Sequence, residues 1–385
     1  MFGNTARVRA VDRDLRLLWT AVFCLGFGFG IYNTTFFPFI TEFIRIDPRQ
    51  LGWLEATREL PGFLCVVIAA ITMRVAEPLL SALSFFLMAI GLTAIASTSG
   101  VHSLMLWSFV WSLGMHVWMP LQSSLAMHLA KDGEKGTTLG QTAGWWSLGT
   151  VLGMIAVVIV SEGLAYQHWF LIGGGAYALA AFIMLKVRRN IGHADKPRFV
   201  WKKRYRLYYA LTFLEGCRKQ VFFTFALFAL TKVYHTHLRV IAILMLINGV
   251  VNMFGGPVVG RLIDRIGERK ILLTSYTALI FVFLGYAELR HAHALYVMYC
   301  LDNLFYLSTT CLATYLQKIA EPADLMPTLS MGVTMNHIAA VMVPPIGGFL
   351  WASCGYPVTF RGGAIVVVIS LLLASRLRAV KAVKA

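Results

Sequence analysis

Apolar residues in this chain come in runs of about 18 to 28, divided by short polar punctuation. An α-helix needs about 20 residues to cross a hydrocarbon core about 30 Å thick, so these runs have the length of membrane spans rather than of soluble core helices. Lipid cannot satisfy an open sheet edge, and a membrane barrel would show period-2 segments of about 10 residues, which the sequence lacks. The expected fold class is therefore all-α and polytopic. Composition agrees: 58% of the residues are hydrophobic and 14% charged, where a soluble domain carries roughly 25% charge.

The runs predict twelve transmembrane helices, over residues 17–43, 50–73, 79–96, 104–130, 137–160, 169–187, 207–234, 240–262, 271–289, 294–319, 325–350 and 358–375. The basic N-terminal segment precedes an apolar stretch too long for a signal-peptide core, so a retained first span is expected. The net charge of +16 would suggest a nucleic-acid partner in a soluble protein. Here about 25 of the 34 Lys and Arg residues fall in the N-terminal tail, the even-numbered loops and the C-terminal tail. That asymmetry follows the positive-inside rule. It places both termini in the cytoplasm of a multi-pass plasma (inner) membrane protein, with the lipid bilayer and not nucleic acid as its partner.

The longest polar stretch, 186–206, divides the chain into residues 1–187, a basic linker at 188–206 and residues 207–385. The linker reads either as an anionic-lipid contact or as ordinary positive-inside sequence. Sliding the second half on the first by about 190 residues sets Leu17 on Leu207, Gly140 on Ser330 and the loop at Glu77 on that at Gly267. The repeat lies in hydropathy and spacing, and it predicts two pseudo-symmetric six-helix bundles.

The eighth span runs into Gly260-Arg261-Leu262-Ile263-Asp264-Arg265-Ile266-Gly267-Glu268-Arg269-Lys270. Gly260 would let helices approach closely, Gly267 would permit a tight turn, and Asp264 would pair with basic residues or face a helix N-terminus. With Arg265, Arg269 and Lys270 these residues form a candidate gating loop. The segment resembles the G-x-L-x-D-R-x-G-x-R-K loop signature of the major facilitator superfamily. The resemblance implies a secondary transporter with two six-helix bundles and spans 1, 4, 7 and 10 around a central cavity. The first-half counterpart, Met73-Arg74-Val75-Ala76-Glu77-Pro78, lacks the glycines and the aspartate, and the fourth and fifth spans lack the arginine and the Gly-Pro pair associated with proton-drug antiporters.

Ionisable residues inside spans are costly and point to cavities or to mutual pairing. In span 2, Glu55, Arg58 and Glu59 precede Pro61-Gly62, where a kink is expected; they read either as a packing ion pair or as a functional group. In span 7, Glu215 can reach Arg218 and Lys219 at i+3 and i+4, leaving one local positive charge in excess; a structural network is the alternative to a substrate or coupling role. Asp302-Asn303 forms a smaller polar point in span 10. The resemblance adds Asn33, His116 and Gln122 to the cavity-lining candidates, while His116, His128 and His337 taken singly read as packing residues. The VPPIGG run at 343–348 reads as kinking and close helix packing.

The six cysteines lack CxxC spacing, and the pairs His235-x-His237 and His291-x-His293 are weak as metal ligands, so neither metal nor cofactor is expected. Nucleotide-binding and hydrolase motifs are absent, which argues against an enzyme and against ATP-driven transport. The expected function is alternating-access transport of a small organic anion by a monomer, with protons as the coupling ion through Glu59, Glu215 or Asp302. Export of amphipathic compounds is the second expectation, and a transport-dead receptor or scaffold the third.

Overall fold

The computed structural model describes residues 2–72, 74–131, 133–160, 163–188 and 201–377. Most of the linker (189–200), the C-terminal tail (378–385) and Met73 of the first-half loop lie outside the described residues. The chain forms α1 (Phe2–Pro38), α2 (Pro48–Phe63), α3 (Cys65–Thr72), α4 (Glu77–Ile95), α5 (Val101–Leu129), α6 (Lys135–Val160) and α7 (Tyr166–Met184). The second half forms α8 (Arg206–Lys232), α9 (Leu238–Ile266), α10 (Glu268–Glu288), α11 (Ala292–Tyr306), α12 (Thr310–Ile319), α13 (Pro322–Cys354) and α14 (Tyr356–Ala374). No strand occurs among the described residues.

Two spans that the hydropathy predicts as continuous are broken. Helix α2 stops at Phe63 and α3 resumes at Cys65, just after Pro61, whose ring removes one backbone donor and crowds the preceding turn. Helices α11 and α12 are joined through a 3-10 turn at Leu307–Thr309, directly beyond the polar Asp302-Asn303 point. Among the described residues, eight helices are long and apolar enough to cross a membrane. Helix α8 is not among them, because its own length carries Glu215, Arg218 and Lys219. Large apolar side chains face outward, including Ile71 at 76% and Phe281 at 68% exposure, a surface that suits lipid and not water.

By its internal contacts the chain divides into two compact units. One comprises Met1–Ile44, Leu64–Lys196 and Leu238–Leu246; the other comprises Arg45–Phe63, Pro197–His237 and Ile247–Ala385.

The first unit is built on α1 against α6, and the pairing is set by small residues. A Cβ at Gly26 would lie 2.3 Å from the Trp146 carbonyl oxygen, and one at Gly30 would lie 2.2 Å from that of Thr150. Reciprocally, Gly149 sits against the Phe23 carbonyl at 2.2 Å and Gly153 against that of Phe27 at 2.3 Å. Each helix thus contributes a G-x-x-x-G pair, and backbone meets backbone with no side chain between. The aromatic neighbours then interlock around the contact: Phe29 packs on Trp146 with centroids 5.3 Å apart, and Phe23 meets Trp145 edge-on at 6.3 Å. The second unit uses the same device between α2 and α13, where Gly52 faces the Pro344 carbonyl and Gly348 faces that of Pro48. The VPPIGG run is therefore a close-packing surface inside a helix that continues through it.

Ionic ties recur at an offset of about 190 residues. In the first unit Asp12 of α1 pairs with Lys131 at 3.1 Å, and in the second Lys202, just before α8, pairs with Glu321 at 3.5 Å. The positions correspond, and the signs are reversed. Lys202 also donates to Asp324 at 2.6 Å, and that hydrogen bond holds its ammonium above the ordinary lysine value. A second correspondence joins Glu77 to His128 at 3.2 Å and Glu268 to Lys318 at 2.6 Å. Here a carboxylate in the first turn of α4 or α10 reaches a basic residue near the end of α5 or α12.

Adding one methyl group should separate packing glycines from idle ones. Gly149→Ala should destabilise the protein by about 1–3 kcal/mol through overpacking, read as a lowered Tm. Gly144→Ala, whose new Cβ would meet nothing within 4 Å, should leave Tm unchanged or slightly raised.

Candidate functional site

Helix α8 positions the most concentrated polar group in the second unit. Glu215 and Arg218 are one turn apart and share a face, and both are buried, Arg218 to 1% exposure. The Arg218 guanidinium donates through Nε to Glu215 Oε1 at 3.1 Å and through Nη1 to Asp302 Oδ1 of α11 at 3.0 Å; Nη2 also donates to Glu215. One cation is thus clamped by two carboxylates. A guanidinium suits this role because its fork of donors serves both acceptors at fixed geometry. The clamp also ties α8 to α11.

Asp302 alters the charge balance expected from the sequence. Glu215, Asp302, Arg218 and Lys219 together are neutral, so the local excess of one positive charge predicted for span 7 does not arise. Each nitrogen of the Arg218 guanidinium donates to one of the two carboxylates. Lys219, one residue on and therefore turned by about 100° on the helix, is half-buried and forms no ion pair with any carboxylate among the described residues. Its ammonium lies 5.2 Å from the centroid of the Phe223 ring, one turn along. Phe223 in turn meets Tyr306 of α11 with centroids 5.6 Å apart, and the Arg218 guanidinium lies 5.5 Å from the Tyr306 ring. Cation–π contacts of this kind orient a charge without neutralising it.

The span 2 group divides. Glu55 is buried and pairs with Arg58 at 2.5 Å. Glu59, by contrast, accepts from His337 of α13, with Nδ1 and Oε2 3.1 Å apart. Both Glu59 and Glu215 lie within electrostatic reach of Lys219. His337, which the sequence reading took for a packing residue, thus joins the span 2 group through a hydrogen bond. Its distance of 278 residues from Glu59 hides the pairing from any local pattern.

In the first unit, His116 of α5 is buried, with Nδ1 placed 2.9 Å from the Ser112 carbonyl and 3.0 Å from the Ser112 hydroxyl. Asn33 of α1 and Gln122 of α5 are half-buried.

The candidate gating loop is partly corrected. Gly267 has φ +81° and turns the chain sharply from α9 into α10, as its glycine predicts. A Cβ at Gly260 would meet nothing within 4 Å, so that glycine does not mediate the close helix approach expected of it. It lies on a stretch of α9 where Gly256, Val258, Arg261 and Leu262 are exposed. Asp264, Arg265, Arg269 and Lys270 are exposed, and Asp264 forms no ion pair among the described residues. The buried acid of this region is Glu268, bound to Lys318, and the first-half loop has its own in Glu77, which accepts from Ser124 at 2.6 Å.

Truncation at two neighbouring positions should differ sharply in its effect on stability. Arg218→Ala would leave Glu215 and Asp302 buried without their cation, a loss of about 3–5 kcal/mol that a melting curve in detergent would show. Lys219→Ala leaves the clamp intact and should hold Tm close to that of the native protein.

Several solved structures share this fold. The nucleoside transporter NupG superimposes with a TM-score of 0.75 at 16% identity, covering 97% of this chain and 100% of its own. A bacterial homolog of the human lysosomal transporter Spinster, inward-facing and unoccupied, gives 0.73 at 12% identity over 96% of this chain and 97% of its own. The peptide transporter POT in complex with sulfate gives 0.74 at 13% identity over 95% of each chain. No curated protein matches the sequence significantly. The family description of the Major Facilitator Superfamily matches residues 18–322 and 208–385, and with the outward apolar helices it identifies a multi-pass integral membrane protein. The chain belongs to the Major Facilitator Superfamily.

Proposed function

We propose that the protein is a secondary active transporter for a small organic anion, with Lys219 as the binding cation. The observation that carries this reading is the difference between two adjacent cations. Arg218 is locked by two carboxylates, whereas Lys219 is held over an aromatic ring and forms no ion pair among the described residues. An ammonium in that setting, which no carboxylate contacts directly among the described residues, favours an anionic ligand that would pair with it. The bound group would sit against Phe223 and Tyr306, with the Arg218 clamp as a rigid backing.

Glu59 and His337 supply the coupling element. A carboxylate hydrogen-bonded to an imidazole can take up and release a proton, and Glu59 lies close enough to Lys219 for its charge to compete with that of a ligand. Protonating Glu59 would leave the Lys219 charge to the anion; releasing the proton would favour its departure. Proton movement would thereby be tied to substrate movement as the site opens to one membrane face and then the other. The sequence repeat supports a division into 1–187, a linker at 188–206, and 207–385. The exposed loop residues Asp264, Arg265, Arg269 and Lys270 are available to form contacts at another stage of the cycle.

In proteoliposomes, Lys219→Ala should abolish uptake of organic anions while the protein stays folded. Lys219→Arg, which keeps the charge, should retain part of it. Unchanged anion uptake by Lys219→Ala would remove the basis of this assignment.

The distribution of Lys and Arg supports a cytoplasmic location for both termini. With the six native cysteines replaced by serine, single cysteines at Lys203 and at His291 should react with an impermeant maleimide from opposite sides of the membrane. Reaction of both from one side would overturn the orientation.

A further inference from the structure

Helix α8 is enclosed along almost its whole length. Among the described residues from Leu207 to Lys232 only Phe223 is exposed, at 45%. A surface that meets lipid looks different in this protein. Along α9 the side chains of Ile247, Val250, Phe254, Val258 and Leu262 are all exposed and recur every three or four residues, a continuous apolar stripe. Phe223 belongs to no such stripe, and the ammonium of Lys219 beside it would be costly against hydrocarbon. A single open ring next to a cation marks a local opening beside α8 that admits water or a ligand.

The ring and the cation form one surface. Lys219 and Phe223 are one turn apart on a common face, and the ammonium lies 5.2 Å from the ring centroid. Tyr306 adds a second wall, inclined at 50° to Phe223 with centroids 5.6 Å apart. Two inclined rings let a third lie face-on to one and edge-on to the other, both arrangements that the ring quadrupole favours. Centroids in such pairs lie about 4.5–7 Å apart, much like the spacing of Phe223 and the ammonium. A carboxylate borne directly on the third ring therefore comes within reach of Lys219.

We propose that Phe223 is an aromatic platform for the ligand and that the anion carried is an arenecarboxylate, a flat aromatic ring bearing its carboxylate directly. The inference rests on the assignment of Lys219 as the anion-binding cation. The carboxylate pairs with the Lys219 ammonium, and the ring covers the open side of Phe223. Two needs are met together: the ammonium gains an opposite charge, and the exposed ring is removed from water. An aliphatic ring of similar size would also bury apolar area, but it would forgo the quadrupole contact.

Benzoate and cyclohexanecarboxylate separate the platform from simple anion binding. Both are ionised at neutral pH and have the same carbon count, but only benzoate is aromatic. The saturated ring is at least as apolar, so burial alone gives benzoate no advantage. By calorimetry on the purified transporter, benzoate should bind about three- to ten-fold more tightly than cyclohexanecarboxylate. Phe223→Leu and Phe223→Met, which keep apolar bulk at an exposed position and remove the ring, should each abolish that preference. Phe223→Tyr, which keeps the ring, should retain it. Lys219→Ala should weaken both ligands alike. Equal binding of the two, or tighter binding of cyclohexanecarboxylate, with loss of both in Lys219→Ala, would overturn the aromatic platform while sustaining the anion reading. A preference for benzoate that survives both Phe223→Leu and Phe223→Met would also overturn the platform. Failure of the native protein to bind either carboxylate would overturn both.

Discussion

A guanidinium at 1% exposure in a membrane span exists only because its charge is answered on the spot, and Arg218 is answered twice. Removing an arginine from water costs several kcal/mol, a penalty recovered only with good geometry and satisfied donors. Glu215 supplies the local half of that geometry and Asp302 the distant half, so the clamp fixes the distance and rotation of α8 against α11. Other features of the site inherit their position from it. Lys219 points away from the clamp because Arg218 points into it, and Tyr306 presents its face because Asp302 anchors its helix.

How far the sequence discloses such a site depends on the range of each interaction. The i,i+3 pairs Glu55–Arg58 and Glu215–Arg218 are legible because helix periodicity alone brings them together. The Asp302 and His337 contacts are not, since no spacing rule relates residues 84 or 278 positions apart. Without Asp302 the span 7 charges look unbalanced, which is why Arg218 and Lys219 both read as candidate binding cations. The all-α class and the family were legible, because run length and the 260–270 loop are both local features. The kink expected at Pro61-Gly62 appears as the break at Leu64, whereas the break at Leu307–Thr309 was masked by hydropathy, which stays high through an interrupted helix. The role of Gly260 was misjudged because a glycine in a sequence does not disclose whether a neighbouring helix lies opposite it.

Glycine placement explains how the spans associate without the driving force that water gives to a soluble core. Hydrocarbon solvates leucine as well as protein does, so helices gain by approaching until backbones touch. The four glycines between α1 and α6 and the Gly52 and Gly348 contacts between α2 and α13 provide that approach. Structures with the same architecture at 12–16% identity show how little of the sequence such packing requires.

The sign reversal between the Asp12–Lys131 and Lys202–Glu321 ties has a consequence for assembly of the nascent chain. A duplicated architecture offers each segment two similar places to dock, and exposed pairs of this kind add little to stability. They can still discriminate. Were the start of α1 to dock where the start of α8 belongs, Asp12 would confront Glu321, acid against acid. The converse error would set Lys202 against Lys131, base against base. Opposite polarity at equivalent positions thus penalises the exchange of counterparts, so that the two copies of one plan remain distinguishable to a chain that is still choosing its partners.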